Sequence, residues 1–401
     1  MRFFRIDKLI CSWIKDHILL LVLIVGTILS VIVRLKVFGF ESPDMKVFLI
    51  PWYNTIYQMG GISALREQVG NYGIPYQTLI ALMTYLPIKE VYVYKITSVL
   101  FDYLIAVVSA LLVRELGGNK SSMSAVYLGA VFCPTIFMNS AVWGQCDSIF
   151  SFFCLVAVLF LLKEKYVFAF LAYGIAFSFK LQAIFLFPFF GFYYIYKQKF
   201  TMLSFLLIPL SMMFMSLGGI LQGRSVLSVF NIYAGQVGTY NRISNNYPTI
   251  WNYLVDNFTD AHYDYLAPYC IAATVVLLSL EIAAVIKYEL DDEKLVFLAF
   301  ILTYTTVFFL PNMHERYSYI YVMLGGMIAV LDNKTIPAFI GLLIIDAQTY
   351  GMYLFDSTPL PWSLVVTLNL ACFLYYCRRF YQHLYRQRVD LIRSISNGDD
   401  N

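Results

Sequence analysis

The stretch YVFAFLAYGIAFSFKLQAIFLFPFFGFYYIY, residues 166–196, is predominantly apolar and carries one charged residue, Lys180, near its middle. As a single α-helix it would be roughly 46 Å long, whereas the hydrocarbon core of a bilayer is about 30 Å thick. Two short helices that meet near Lys180 fit both the length and the charge. The stretch therefore predicts a helical membrane protein whose chain turns at an embedded lysine.

The composition supports the same class. Hydrophobic residues make up 60% of the 401 residues and charged residues only 13%, about half the charged fraction of a soluble domain. The net charge of +3 is too small to suggest a nucleic-acid partner. Seven cysteines show no C-x-x-C spacing, and we interpret them as small buried hydrophobes rather than as a disulfide or zinc framework. No ligand cluster calls for a metal or another cofactor.

A crossing needs about 20 apolar residues. With 166–196 counted as two crossings, the sequence predicts twelve, in one all-α, polytopic domain over residues 1–401. The other ten predicted spans are 17–38, 92–113, 121–141, 146–162, 202–221, 266–286, 294–311, 316–331, 335–352 and 361–377.

The basic residues orient this arrangement. Most of the 28 Lys and Arg residues fall near both termini and in every second short loop, which is the positive-inside pattern of cytoplasmic segments. The pattern predicts that both termini are cytoplasmic and that residues 378–401 form a cytoplasmic tail. Residues 39–91 and 222–265 then become two long external loops.

The first external loop predicts interfacial helices. Residues 45–70 place apolar side chains at helical spacing, with an interruption at Gly60–Gly61, and the apolar run 74–88 is too short to span. Asp44 opens the loop. Asp44 or Ser42 fits a helix cap, and an acid at a membrane boundary also fits a general base. The residues alone leave both interpretations open.

The link WGQCDSI, residues 143–149, places polar residues between two apolar runs. Trp143 fits an aromatic belt, and Asp147 or Ser148 fits a helix cap. A helix that starts here also points its free N–H groups outward, where an anion can bind. In that interpretation Gln145 and Asp147 hold sugar hydroxyls and Trp143 offers a stacking surface.

Two basic side chains stand at predicted external helix ends. Lys180 costs about 2.5–3.5 kcal/mol near the bilayer centre, so we expect an anionic partner, a wet cavity or a snorkelling path to the headgroups. The link PNMHERYSY, residues 311–319, carries His314, Glu315 and Arg316. Adjacent helical residues do not face each other, which predicts that Glu315 and Arg316 are not each other's main partner. A phosphate suits Arg316, and a solvated turn is the alternative.

The second external loop contains GTYNRISNNYPTIWNYL, residues 238–254. Its Asn, Tyr and Trp side chains suit carbohydrate and an interfacial loop equally well. Asp102, Glu281 and Asp346 fall within predicted spans, and we expect them to be paired packing residues or cavity liners.

Six motifs follow one another between about residues 40 and 325: SPDMKVFLIPWYNTIYQMGG, GNYGIPYQTL, WGQCDSI, FSFKLQAIFLFP, NNYPTIWNYL and MHERYSY. Their order resembles that in the GT-C superfamily of polytopic glycosyltransferases. The nearest likeness is to the integral membrane mannosyltransferase branch related to the second GPI mannosyltransferase and its bacterial relatives.

The resemblance implies an inverting transfer of mannose or another hexose from a polyprenyl-phosphate-linked donor to a glycan, glycolipid or protein acceptor. The chemistry would take place at the external face of a bacterial-type plasma membrane, without a metal. Asp44 matches the catalytic acid, although ESPDMK lacks the Asp-Tyr or Asp-Glu pairing common among relatives, so that Glu41 is a rival. Lys180, Arg316 and His314 match the donor-phosphate site. The sugar and acceptor positions would be Trp143, Gln145, Asp147, Glu315, Asn246 and Trp251.

Two alternatives remain at this stage. A carrier or flippase for lipid-linked saccharides would need alternating access, which is usually built on inverted repeats, and the sequence shows none. A polymerase that uses lipid-diphosphate donors is separated from a transferase only by the likeness around residues 313–319.

Overall fold

The computed structural model describes residues 2–236, 241–259 and 262–398, with side chains described between residues 7 and 385 of those ranges. The chain is 78% helical, which confirms the all-α class. The helices are α1 (Arg2–Val37), α2 (Ile50–Gln58), α3 (Ile74–Met83), α4 (Glu90–Glu115), α5 (Lys120–Val131), α6 (Pro134–Phe137), α7 (Asp147–Leu162), α8 (Tyr166–Phe179), α9 (Phe187–Lys197), α10 (Leu207–Met215), α11 (Leu217–Leu221), α12 (Ser228–Gln236), α13 (Tyr263–Val285), α14 (Asp292–Phe309), α15 (Tyr319–Leu331), α16 (Ile336–Phe355) and α17 (Trp362–Gly398).

Several helices have the length and composition of membrane-embedded segments. In the part of the chain that the structure describes, four are long and apolar enough to cross a bilayer: Asp7–Val37, Glu90–Glu115, Tyr263–Val285 and Asn333–Phe355. A fifth candidate is the pair Lys120–Val131 and Pro134–Trp143, which bends by 40°. Shorter apolar helices, α7, α8 and α15 among them, pack beside these.

The chain divides at Lys180, as its sequence predicts. Helix α8 ends at Phe179, and Lys180 is extended with φ −155° and ψ 134°. A 3₁₀ segment, Leu181–Leu186, follows and leads into α9, where Pro188 occupies the first turn. The break leaves the lysine side chain at the end of one short helix and the start of another.

Helices also form outside the predicted spans, in the loop over residues 39–91, in the loop over residues 222–265 and in the C-terminal tail. A π-helical turn, Met45–Leu49, precedes α2, and a 3₁₀ segment, Gly61–Arg66, precedes α3. The interruption lies at Gly60 and Gly61, as expected, because both adopt positive φ (85° and 66°), which glycine reaches at little cost. The predicted span 202–221 is broken at Ser216, between α10 and α11. Helix α17 continues through residues 378–398 of the predicted tail, and residues 399–401 lie outside the described residues.

Buried polar pairs join the helices, as expected for the acids within predicted spans. Arg34 on α1 lies 3.1 Å from Asp102 on α4, and both side chains are buried. Asp346 on α16 accepts hydrogen bonds from Thr135 at 2.5 Å and Ser318 at 2.7 Å. Lipid tails are as apolar as the helix surfaces, so burial of apolar side chains gives little drive for helices to associate in a membrane. Polar contacts of this kind hold the helices together instead. Glu281 likewise accepts a hydrogen bond from Thr305 at 2.7 Å.

The loop over residues 222–265 contacts the link before α15 through a short parallel strand pair. Strand β1 (Ser244–Asn245) pairs with β2 (Met313–His314), with Ser244 opposite Met313. The pair brings the Asn-rich segment of the loop against the residues His314, Glu315 and Arg316. This corner, the break at Lys180 and the loop over residues 39–91 enclose a cavity.

Candidate functional site

A cavity of about 510 Å³ lies where these elements meet, a volume within the usual range for small-molecule sites. We call it the site cavity. Its charged and titratable lining is Asp44, Lys180, His314, Glu315 and Arg316. Its amide lining is Asn71, Gln145, Gln182, Gln236, Asn245, Asn246 and Asn312. Aromatic and aliphatic side chains complete the wall.

The carboxylate of Asp44 is fixed by three donors. Trp143 Nε1–H donates to Asp44 Oδ2 at 3.0 Å, and the amide of Gln145 donates to the same oxygen. The hydroxyl of Tyr353 on α16 donates to Asp44 Oδ1. An ionised carboxylate has about four lone-pair sites, so three donors leave one acceptor position open on this lining residue.

The capping role that Asp44 could have filled belongs to Ser42. The backbone N–H of Met45 donates to Ser42 Oγ at 3.1 Å, and Asp44 makes no side-chain cap bond. The rival acid Glu41 is paired with Lys89 at 3.2 Å and does not line the site cavity. The local hydrogen bonds therefore leave Asp44 as the acid of this loop that faces the cavity.

The sequence Trp143–Gly144–Gln145 explains how two of the donors reach Asp44. A π-helical segment, Met138–Trp143, ends at Gly144, whose φ is 81°. A Cβ on Gly144 would overlap the terminal methyl of Met45. The positive φ favours glycine here, and the turn directs Trp143 and Gln145 toward the same carboxylate.

Asp147 holds the two main cations. Lys180 Nζ lies 2.5 Å from Asp147 Oδ1, and Arg316 Nε lies 3.4 Å from Asp147 Oδ2. The amide of Asn139 donates to Oδ2 at 2.8 Å. The side chains of Lys180 and Asp147 are 3% and 2% exposed, so solvent screens this pair little. Asp147 is thus the counter-ion of Lys180 and Arg316, and it lies behind them, outside the cavity lining.

Glu315 and Arg316 are direct partners, so the expectation that they would not be is wrong. Arg316 Nη1 donates to Glu315 Oε1 at 2.8 Å. The helical rule does not apply, because residues 310–318 form a turn and a strand before α15 begins. His314 Nδ1 lies 3.8 Å from Glu315 Oε2. Burial would raise the pKa of Glu315, but the neighbouring His314 ring and the charge of Arg316 hold it below its ordinary value.

The structure thus brings together the clusters that are far apart in sequence. Asp44, Gln145, Lys180 and Arg316 all border one space, and Asp147 links the two cations beneath it. This confirms that the acid, amide and basic clusters converge.

Two predicted sugar-contacting tryptophans lie outside the cavity lining. Trp143 has no exposed surface: it stacks on Tyr353, with ring centroids 4.6 Å apart, and Arg316 lies 5.2 Å from its ring centroid. It therefore positions Asp44 and has no face to offer a sugar. Trp251 donates to the carbonyl oxygen of Phe309 at 2.6 Å and packs near Ile243. Asn246 does line the cavity, with φ 62°.

Among the residues that position the charged groups, the sequence did not point to Tyr353, Tyr72 or Asn139. Tyr353 and Tyr72 both line the cavity, and Tyr72 OH donates to Gln145 Oε1 at 2.9 Å. This bond directs the Gln145 NH₂ group to Asp44. The side-chain amide of Asn139 donates a hydrogen bond to Asp147 and so helps to fix its carboxylate. Tyr72 could have been predicted, because it lies in the motif GNYG, residues 70–73. Nothing in the sequence around Tyr353 distinguishes it from an ordinary membrane tyrosine.

The arrangement combines two chemical capabilities. A fixed carboxylate with an open lone pair can accept a proton, and buried cations can stabilise an anion that develops during a reaction. A scan against protein-family models finds no match, and no curated protein is significantly similar in sequence. The functional assignment therefore depends on the site's own chemistry and on the resemblance of the motifs.

Proposed function

We propose that this chain is an inverting glycosyltransferase of the GT-C type, which moves a hexose from a polyprenyl-phosphate donor to an acceptor hydroxyl at the external membrane face. The observation that carries the proposal is the pairing of a fixed carboxylate, Asp44, with two cations, Lys180 and Arg316, around one cavity. The motif resemblance supports it by assigning the same three residues to the base and the phosphate site.

The proposed chemistry needs no further group. Asp44 takes the proton of the acceptor hydroxyl as its oxygen attacks the anomeric carbon. The bond from that carbon to the phosphate oxygen breaks, and polyprenyl phosphate leaves with the bonding electrons. Lys180 and Arg316 stabilise the phosphate charge from positions fixed beforehand by Asp147, so little reorganisation is required during the reaction.

The apolar part of the cavity wall suits a donor that remains attached to lipid. Phe48, Trp52, Ile184 and Phe185 line it. Phe48 and Ile184 are 41% and 44% exposed, which gives the wall an outward-facing apolar edge. In the proposed topology of twelve crossings, both termini are cytoplasmic and the cavity opens at the external leaflet, with the prenyl chain lying along this edge.

The test is transfer by the purified protein in liposomes that contain radiolabelled polyprenyl-phosphate hexoses. Asp44→Asn should lower the transfer rate by about 10²–10⁴-fold, the usual contribution of a positioned general base. Glu41→Gln is the matched control, because it makes the same chemical change on the same loop outside the cavity, and it should retain activity. If Asp44→Asn keeps the parental rate with every donor that the parent uses, the base assignment is wrong.

A carrier or a polymerase gives different results in the same liposomes. A carrier would move the intact lipid-linked sugar across the bilayer without releasing polyprenyl phosphate. A polymerase would consume a lipid-diphosphate donor and leave the monophosphate untouched.

A further inference from the structure

The strand pair β1–β2 presents a group of amide side chains to the site cavity. Asn245, Asn246 and Asn312 line it there, and Gln182 lines it from the break after α8. We call these four residues the amide corner. They are uncharged, and none of them takes part in the proton transfer or the phosphate binding of the proposed function.

The main-chain groups around the amide corner already have partners. The N–H of Asn312 donates to the carbonyl of Ile243 at 2.9 Å, and the N–H of Phe258 donates to that of Ser244 at 3.1 Å. The N–H of Asn246 donates to Asn257 Oδ1 at 3.0 Å. Strand addition by an extended peptide is therefore poorly supported here. The side-chain amides are partly engaged as well, since Asn246 Oδ1 accepts a hydrogen bond from Asn257 at 3.0 Å, so a ligand would meet only the amide atoms that remain unpaired.

Two acceptor atoms of the amide corner lack hydrogen-bond partners among the described residues. Asn245 is 1% exposed, and its NH₂ group donates to Asn312 Oδ1, which leaves its Oδ1 unsatisfied. Gln182 Nε2 donates to the hydroxyl of Tyr317 at 2.8 Å, and its Oε1 is unsatisfied too. Buried polar atoms without partners are uncommon, and these two belong to residues that line the cavity, where a donor group of a ligand would satisfy them.

A sugar hydroxyl matches these amides, because each hydroxyl can donate to an amide oxygen and accept from an amide NH₂ group. The neighbouring lining residues Phe258, Tyr263 and Tyr317 provide the flat apolar surfaces that sugar rings cover. We propose that the amide corner is the acceptor subsite and that it binds a neutral saccharide. The acceptor is then the sugar of a glycan or glycolipid, and not a protein side chain. The acceptor role of this subsite rests on the proposed transfer reaction, whereas saccharide binding does not depend on it.

The first experiment measures binding without any donor present. The full chain in lipid nanodiscs is titrated with tetramers of mannose, glucose and N-acetylglucosamine, followed by saturation-transfer NMR. A uronic-acid tetramer and a Ser/Thr-containing peptide are tested alongside. The inference requires that at least one neutral tetramer binds, and more tightly than the anionic tetramer and the peptide. Binding of none of the three neutral tetramers overturns it.

The second experiment localises the binding. Asn312 and Asn246 have positive φ, 66° and 62°, which glycine adopts without strain. Asn312→Gly and Asn246→Gly therefore keep the turn while removing an amide that also accepts a hydrogen bond from Asn245 or Asn257. Each should weaken saccharide binding by about threefold to tenfold, the range for one neutral hydrogen bond. Asn231→Ala, on the exposed face of α12, is the control and should bind as the parent does. Unchanged binding in both glycine variants overturns the assignment.

The outcomes separate this inference from the transfer reaction. If a neutral saccharide binds at the amide corner but no polyprenyl-phosphate sugar is consumed, the subsite stands and the proposed transfer fails. If donor is consumed but the glycine variants weaken only donor binding, the transfer stands and the acceptor subsite is refuted.

Discussion

Replacing Asp147 with asparagine should destabilise this protein more than any exchange of a surface charge. The change keeps the side-chain volume and removes the only carboxylate within 4 Å of Lys180 among the described side chains. Arg316 retains its contact with Glu315 at 2.8 Å, so Lys180 bears most of the loss. Leaving one buried charge without its partner costs about 3–5 kcal/mol. We expect a loss of that size in the free energy of unfolding.

The loss is measurable as a shift of the thermal midpoint in detergent, followed by intrinsic fluorescence. A chain of 401 residues shifts by roughly 1 °C per kcal/mol, so the midpoint should fall by about 4–6 °C. Glu115→Gln is the matched control. Its carboxylate lies 3.1 Å from Lys163, close to the geometry at Asp147, but both side chains are about 30% exposed. Such a pair contributes at most about 1 kcal/mol, which corresponds to a shift of about 1 °C.

A double variant identifies the cause of the loss. Combining Asp147→Asn with Lys180→Met removes the orphaned charge, so the midpoint should recover part of the way while sugar transfer stays absent. The reasoning fails if Asp147→Asn melts within the range of the Glu115→Gln control. It also fails if Lys180→Met lowers the midpoint of Asp147→Asn still further.

Three further changes test other parts of the structure. Tyr353→Phe keeps the ring stacked on Trp143 but removes a hydrogen-bond donor to Asp44. In the liposome transfer assay kcat should therefore fall about tenfold or more, with little change in KM for the donor, and an unchanged kcat refutes the positioning role. Arg34→Met leaves Asp102 buried without its cation and should lower the thermal midpoint by about 4 °C or more. Arg34→Met combined with Asp102→Asn should recover part of that loss, and additive losses would contradict the ion-pair explanation. The pKa of Glu315 is held below its ordinary value near 4.5, so its contribution to stability is complete above that pH and is lost as the pH falls through the lowered pKa. Midpoints measured from pH 6 to pH 3 should therefore fall more steeply for the parent than for Glu315→Gln, and parallel curves would show that this carboxylate is not responsible.

The sequence was most informative where one short segment carries the physical cause. The run 166–196 is too long for one crossing and holds a lysine that hydrocarbon does not tolerate, so the break at Lys180 followed from length and charge alone. The interruption at Gly60–Gly61 followed in the same way from the backbone freedom of glycine. The helical class and the membrane character follow from composition, which needs no tertiary information.

The partners of the polar residues could not be predicted in this way. Glu315 and Arg316 were expected to avoid each other on a helix, but the strand pair with the second loop holds them in a turn. The sequence does not decide whether Asp44 caps a helix or acts as a base. In the structure Ser42 makes the cap hydrogen bond. Trp143 was expected to face a sugar, but the packing of α16 covers it completely.

What the amino-acid sequence determined by itself was therefore the helical membrane class, the position of the chain break and the set of polar clusters available for a site. Only the tertiary structure decided that Asp147 serves the cations and that Trp143, Gln145 and Tyr353 serve Asp44. The reason is separation along the chain. The bond from Tyr353 to Asp44 joins positions 309 residues apart, and no local pattern specifies which side chains will meet across such a distance.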